Sequence, residues 1–418
     1  MTKHSVRHDG LGTQLGLGVG GIDVAKDWHF VQWLDAQGQP VGRAVRFPNT
    51  RAGFEAMWER RPAAVVRVGM ESTGHYWLGL AHWLRAQGAE VVLVQPAHVH
   101  RLKELDDNTP TKSDAKDARV IARLVHEGRW FRWEPRTGAL AQLATLAVTR
   151  QQHHQEVMRW RARIAGWIHQ YFPEFRTVFK AWDGKAALVA LDTAATPDQV
   201  VSAGIAALTQ RFLQATHHRI GAKRAQALYH AAQMSIGVPE GRAVARLQLA
   251  SYLASWRAAY AAQQGIEAEQ AAIVAELAIA RPLRSIPGFG PQVMATLLGE
   301  LGDLSRFADA KQAQKMAGLN LTQQSSGYHH GRTHIAKRGR PAARTALYQA
   351  ACVVVAKNPQ WKAWYRQLTH RTVNPLPPKA ALVAVASKLL RVAWACTKQG
   401  QVYDPVRLFG EMLVTPAA

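Results

Sequence analysis

Cysteine is nearly absent from this chain. Only Cys352 and Cys396 occur in 418 residues, each within an apolar run rich in Ala and Val. That excludes a thiolate zinc site and leads us to expect two reduced, buried thiols. Long apolar runs are missing too: none approaches the ~20 residues a membrane span requires. The N-terminus lacks the apolar core of a secretory signal, so a cytoplasmic protein with no membrane partner is expected. Acid is scarce, with 29 Asp and Glu against 52 Lys and Arg and a formal charge of +23. The shortage is uneven. From Ala310 to Tyr403 there is no Asp or Glu at all, against 15 Lys and Arg. Solvated surfaces mix signs, so a long acid-free segment points to a polyanion whose phosphates release counterions when neutralised. Membrane-surface binding would also favour basic residues, but no strongly amphipathic anchor accompanies them.

What is present suffices for two or three folded domains, since 48% of residues are hydrophobic. Residues 1–17, rich in Gly, Thr and His, read as a flexible leader. Apolar or alternating runs bounded by turns follow at Leu17–Val24, His29–Leu34 and Val41–Phe47, and predict three antiparallel strands. Helical spacing at Thr50–Arg60, a strand at Ala64–Met70, a helix at Tyr76–Gln87, a strand at Glu90–Gln95 and a helix at Asp114–Glu127 complete a β-β-β-α-β-α-β-α order. That is the order of a ribonuclease H-like mixed sheet, with the first strand beside the fourth. It assigns α/β character to residues 18–133. Long helices are expected from Leu140 to Tyr171 and from about Leu247. They make residues 134–280 a helical, coiled-coil-like arm whose segment Phe172–Arg246 has no evident role. A mainly helical domain is expected over 281–409, then a tail at 410–418.

Four carboxylates in the first domain have a spacing that suits a hard cation, which takes oxygen ligands. Asp23, in GIDVAK, ends the first strand, and Glu71, in GMESTGHY, ends the fourth. If these strands are neighbours, both acids leave the same sheet edge and repel unless a cation lies between them. Asp114 and Asp117, in TKSDAKDA, are three apart and share a helix face. Lys112 and Lys116 flank them and are candidates for holding a phosphate. Each acid alone has an ordinary reading as a turn residue or a helix-start acid; their ordered combination suggests a site. Asp27, Asp106 and Asp107 are assigned to turns.

The second half begins its last domain with LRSIPGFGPQVMATLL. Its Pro-Gly-x-Gly-Pro before a helix resembles a helix-hairpin-helix, in which Gly288 and Gly290 expose backbone N–H groups to phosphate without reading sequence. Met294 stands where such motifs usually have a small residue. AGLNLTQQSSGYHHGRTHIAKRGRPAARTALYQAA follows. A Ser-Gly pair ahead of a basic helix start offers a nucleophile beside a phosphate clamp, but the segment has no acid to build a Ser-His-Asp arrangement, and a serine needs a base or a metal to react. His329, His330 and His334 read as surface or phosphate contacts.

Taken in order, GIDVAK, MESTG, TKSDAKDA, IPGFGP, AGL, SSG and IAKRG resemble the IS-one-ten family of insertion-sequence transposases, relatives of the Piv DNA invertase, from about Gly20 to Ala350. The resemblance implies a RuvC-like domain whose Asp23, Glu71, Asp114 and Asp117 hold Mg²⁺, with Mn²⁺ able to substitute. It also implies Ser326, directly before Gly, as the catalytic nucleophile, with Ser325 beside it. Leu321 departs from the family's usual loop, which often carries Pro after Gly-Leu-x. Donor and target DNA are the implied partners, together with an element-encoded bridge RNA as guide and a homodimer or tetramer as the assembly at the nucleoid. Lys337, Arg338, Arg340 and Arg344 are the expected clamps on phosphate or guide RNA. Two other readings stand beside this one: a RuvC-like nuclease or junction resolvase using metal-activated water, and a non-catalytic architectural DNA-binding protein.

Overall fold

The computed structural model describes residues 18–63, 65–72, 74–107, 113–323, 325–326, 329–330 and 333–410, with the backbone alone at 104–107, 325–326 and 329–330. Two compact units divide between Pro135 and Arg136.

In the first unit, β1 (Gly18–Asp23), β2 (Trp28–Leu34) and β3 (Val45–Pro48) form an antiparallel meander. They are followed by α1 (Arg51–Glu59), β4 (Val65–Glu71), α2 (Trp77–Ala86), β5 (Glu90–Val94), α3 (Pro96–Asp107), α4 (Asp114–His126) and β6 (Phe131–Arg132). The sheet order is β3-β2-β1-β4-β5-β6. β1 lies beside β4, as the element order led us to expect; the two run parallel, as do β4 and β5. Strand alternation sends side chains to two faces. Ile22, Val31, Val68 and Met70 meet Phe54 and Trp58 of α1 and Leu80 and Leu84 of α2. On the other face Val19, Leu34, Val92 and Val94 meet Val120, Ile121, Leu124 and Val125 of α4 and Val99 of α3. α1 starts where Thr50 caps it, its hydroxyl accepting the Gly53 N–H at 3.2 Å.

Two elements depart from the sequence-based expectation. α3 and β6 fall where only connections were expected. α3 anchors its described part through Val99 and Leu102, too few apolar positions to register as a helical period. As a result, Asp106 and Asp107 close a helix and do not form a turn.

The second unit is built from helices. α5 (Gly138–Tyr171) and α10 (Arg242–Glu276) are its long members. They run antiparallel: Arg150 pairs with Glu267 at 2.7 Å, and farther along Trp167 donates its indole N–H to the Ala245 carbonyl at 2.8 Å. The second of them starts at Arg242, five residues ahead of its expected start. Between them lie α6 (Phe175–Val178), α7 (Lys185–Thr193), α8 (Pro197–Thr216) and α9 (Ala222–Gln233). Phe172, Phe175, Ala190, Leu208, Phe212 and Leu228 from this stretch form one core with Ile164, Leu249 and Trp256 of the long helices. The segment that had no evident role therefore buries one end of the helical pair.

A second core gathers α11 (Ala280–Arg284), α12 (Pro291–Leu301), α13 (Ala310–Ala317), α14 (Pro341–Lys357), α15 (Pro359–His370) and α16 (Pro378–Gln399), with α17 (Pro405–Phe409) packed against it. By length and composition α16 would suffice to cross a membrane. Here its Val385, Leu389 and Leu390 are fully buried against Leu347, Ala350 and Val354 of α14, the expected position of a core helix. Of the two cysteines, Cys396 is buried as expected and Cys352 is exposed. The reason is helical phase: Leu347, Ala350, Ala351 and Val354 take the inward face of α14, which turns Cys352 outward.

Candidate active site

Register brings the first two acids together. Gly21 pairs with Gly69 and Ile22 with Met70 in the parallel β1–β4 ladder, so Asp23 and Glu71 are neighbours at the strand ends. Each acid lies two residues after a paired glycine, and residues two apart on a strand share a face. That is the face covered by α4. Its backbone approaches so closely that a Cβ on Gly21 would lie 2.1 Å from the Ala122 nitrogen. With α4 seated on the glycines, its first turn, carrying Asp114 and Asp117, reaches the strand ends.

Electrostatics records the convergence. The Asp23 carboxyl is pushed up to about 6, first by burial, then by the charges of Asp117 and Asp114, with Glu71 adding to them and Lys103 opposing. Glu71 is also raised, chiefly by burial, against the lowering effect of Lys103. Asp117 is 6% exposed and ion-paired with the Lys103 ammonium; among the described residues it alone of the four acids has such a partner. In this arrangement no three described Asp, Glu, His or Cys side chains stand close enough together to hold a metal ion. Asp23 thus senses the charge of the other three acids, and Glu71 that of Asp117, without the four closing into a coordination shell among the described residues. Lys116 lies half-buried on α4, and Lys112 lies outside the described residues. Lys103 was missed by sequence reasoning. The available signal was its place one turn after Val99 and directly after Leu102, on the inward side of α3.

In the second unit the serine segment forms two short ladders. β7 (Leu321–Thr322) pairs antiparallel with β10 (His334–Ile335), and within that span β8 (Ser325–Ser326) pairs with β9 (His329–His330). The register sets Ser326 opposite His329; the side chains of both, and Gly327, lie outside the described residues. The outer ladder joins the AGLN turn to the basic loop. Lys337 donates its N–H to the Gly318 carbonyl at 3.1 Å and Arg340 to the Met316 carbonyl at 2.8 Å. Lys337 holds a left-handed φ of 56°, a conformation uncommon for a side-chain-bearing residue and frequent at functional loops.

Arg340 occupies the N-cap position of α14 without a side-chain capping bond and belongs to a cluster. Arg136 is lowered to about 10, first by burial, then by Arg340, with Arg306 adding to it and Glu300 opposing. Arg136 donates to the Glu300 carbonyl at 2.5 Å, and the Arg306 guanidinium lies 4.8 Å from the Phe307 ring centre. Neither Arg136 nor Arg306 was singled out in the sequence, because nothing local links them to Arg340. Arg344 differs, donating to the carbonyls of Ala317 at 3.0 Å and Lys337 at 3.4 Å. Arg338 is exposed.

At the glycine hairpin, Gly288 has φ of +85° and a Cβ there would lie 2.9 Å from the Ala350 carbonyl oxygen of α14. Gly290 is exposed at the N-cap of α12, at a helix start where the first N–H groups have no partner within the helix. Met294 is buried in the core. One of the two glycines thus serves packing, and the other stands where an anion can approach.

Residues 20–173 match the DEDD transposases of IS110 type, described as Transposase. Residues 280–366 match the family described as Transposase IS116/IS110/IS902 family. A 43.6 kDa protein of insertion element IS110 from Streptomyces coelicolor is 24% identical over 92% of this chain and 95% of its own length. The pilin gene-inverting protein of Moraxella lacunata is 22% identical, covering 92% of this chain and 97% of its own. A 44.8 kDa protein of insertion element IS116 from Streptomyces clavuligerus is 24% identical over 96% of this chain and 98% of its own.

Proposed function

This chain belongs to the IS110 family of transposases, and from that premise we propose that it cuts and rejoins DNA strands through Ser326, assisted by divalent cations at Asp23, Glu71, Asp114 and Asp117 of a RuvC-like domain. The observation that carries the reading is the register that sets Asp23 and Glu71 side by side at the strand ends, where the charges of Asp117, Asp114 and Glu71 add to burial in raising Asp23. Carboxylates brought together at a cost in repulsion are suited to a cationic ligand. Their donor set fits Mg²⁺, with Mn²⁺ able to substitute: it is all oxygen, and Asp23 and Glu71 both leave neighbouring strand ends towards α4. Such an ion, when bound, supplies charge that polarises a phosphodiester.

The rest of the chemistry falls to the chain. The Ser326 hydroxyl attacks phosphorus, the bond to one strand's oxygen breaks, and that oxygen leaves with a proton. The phosphoserine diester conserves the bond energy, so attack by another strand's hydroxyl releases the serine and rejoins DNA without a nucleotide cofactor. Arg340, Arg338 and Lys337, with Arg136 and Arg306, supply positive charge for DNA backbone or for a guide RNA. The α12 start at Gly290 supplies N–H groups in the manner of a helix-hairpin-helix. DNA inversion, named for the Moraxella relative, needs the same strand exchange. An assembly of two or four copies, organised by the α5–α10 pair and acting at the nucleoid, completes the proposal.

The test is a denaturing gel of the protein with its element-end DNA and Mg²⁺. A covalent protein–DNA adduct is expected from the wild type and none from Ser326→Ala or Asp23→Ala. Normal strand cleavage by Ser326→Ala would instead establish hydrolysis by water. RNA sequencing of the purified protein tests the guide: a single discrete species is the expected result.

A further inference from the structure

Lys103 reaches the carboxylate cluster of the first unit and pairs with one of its members. It stands on the inward side of α3, one turn after Val99, which is 1% exposed, and next to Leu102, which packs against the same core. Its ammonium is paired with Asp117, whose side chain is 9% exposed while that of Lys103 is 29% exposed. Its charge also lowers both Asp23 and Glu71. A lysine that only secured α3 to α4 would need one acid partner. This one acts on three acids that arrive from two strands and a helix.

We propose that Lys103 is a built-in counter-ion for the carboxylate cluster: it holds Asp117 and offsets the repulsion while no metal is bound, and it gives up Asp117 when a divalent cation enters. The inference rests on the metal reading of the quartet given above and adds a competition to it. The physical basis is charge. A buried carboxylate without a partner is costly, so Asp117 needs a cation in every state. The ammonium and a divalent ion both seek that oxygen and repel each other, so each weakens the other's hold. Lys103 is thus a positioning residue that stabilises the metal-free fold at the expense of metal affinity. Release of Asp117 also frees an ammonium beside the site, on the side where α3 borders it.

The competition has an unusual signature, because damage to a site weakens binding whereas removal of a competitor strengthens it. Full-length protein, stripped with a chelator, is titrated with Mn²⁺ by calorimetry, and its melting temperature is recorded without metal. Lys103→Met is expected to bind Mn²⁺ several-fold more tightly than wild type and to melt lower when metal-free. Lys103→Arg, which keeps the charge, is expected to restore both values towards wild type. Asp23→Asn serves as the control and is expected to lose Mn²⁺ binding. If Asp23→Asn abolishes binding while Lys103→Met binds no more tightly than wild type, the competition is refuted and the metal site stands. If Asp23→Asn binds as wild type does, the carboxylate site itself is refuted and the role of Lys103 falls with it.

Discussion

Gly21 and Gly69 face each other across the β1–β4 ladder, and neither position has room for a side chain beneath α4. A Cβ on Gly21 would come within 2.1 Å of the Ala122 nitrogen and 2.5 Å of the Ala118 carbonyl oxygen; one on Gly69 would lie 2.1 Å from Cγ2 of Val125. The obstacles differ in kind. Backbone blocks the first, and the end of a side chain blocks the second.

That difference sets the order of two mutants. Gly21→Ala must lift the helix and is expected to cost about 3 kcal/mol or more, at the upper end of overpacking. Gly69→Ala can be relieved by Val125, and a cost of about 1–2 kcal/mol is expected, reduced in the double variant with Val125→Ala. Urea unfolding of the purified variants measures both. Equal costs at the two glycines would contradict the close seating of α4 on the β1 backbone.

The raised Asp23 makes stability depend on pH. Its folded value of about 6 exceeds the ordinary unfolded value, so between these values the folded chain keeps a proton that the unfolded chain has released. The contribution of Asp23 therefore falls as pH rises from about 4 to about 6 and is level above that window, with the raised Glu71 acting in the same direction and the lowered His29 and Glu174 in the opposite one. Asp23→Asn is expected to flatten this slope and, after discount for partial exposure, to stabilise the metal-free protein at pH 7 by up to about 2 kcal/mol. Urea titrations of wild type and Asp23→Asn in chelator from pH 4.5 to 7.5 read the difference between them; a difference that stays constant across this window would contradict the clustering of the acids.

Much of the first unit was legible because its signals are local. The apolar runs, their turns and the acids after Gly-Ile and Gly-Met place β1 beside β4 and put Asp23 and Glu71 at one edge. α3 was not legible, since HVHRLKELDD offers only Val99, Leu102 and Leu105 among polar residues, too short an apolar pattern to establish a helical period. Lys103 was lost with it, because a lysine reveals its partner only through the packing of two helices. In the second unit, no sequence pattern connects Arg136, Arg306 and Arg340, which come from three separate segments. The two long helices were recognisable from their spacing. The core formed between them by Phe172, Phe212 and Leu228 depends on contacts between distant residues.

The acid-free segment predicts how binding responds to salt. Duplex affinity is expected to fall on a log–log plot with a slope of roughly −0.9 per phosphate neutralised. Arg340→Gln and Arg338→Gln are each expected to reduce that slope by about one contact's worth, or roughly 0.9, while changing thermal stability little, since Arg338 and Arg340 are exposed. Fluorescence anisotropy across a salt series supplies the slopes. A salt-independent affinity would remove the case for phosphate as the partner of residues 310–403.

Arg344 separates charge from architecture within the same motif. Its guanidinium spends donors on the carbonyls of Ala317 and Lys337, tying the AGLN turn to the IAKRG loop. A Cβ on Gly318 would stand 2.6 Å from that guanidinium and 3.0 Å from the Arg338 carbonyl oxygen, which shows how tightly the two loops meet. Arg344→Gln is therefore expected to destabilise the second unit by about 1–3 kcal/mol, the usual cost of leaving buried or charged hydrogen-bonding groups unpaired. Its salt slope in DNA binding should stay near that of the wild type. Arg344→Lys should rescue little, because one ammonium lacks the planar fork that reaches two carbonyls at once. The opposite pattern, an unchanged melting temperature with a salt slope lowered by one contact, would mean that Arg344 grips nucleic acid and that the two loops hold together without it.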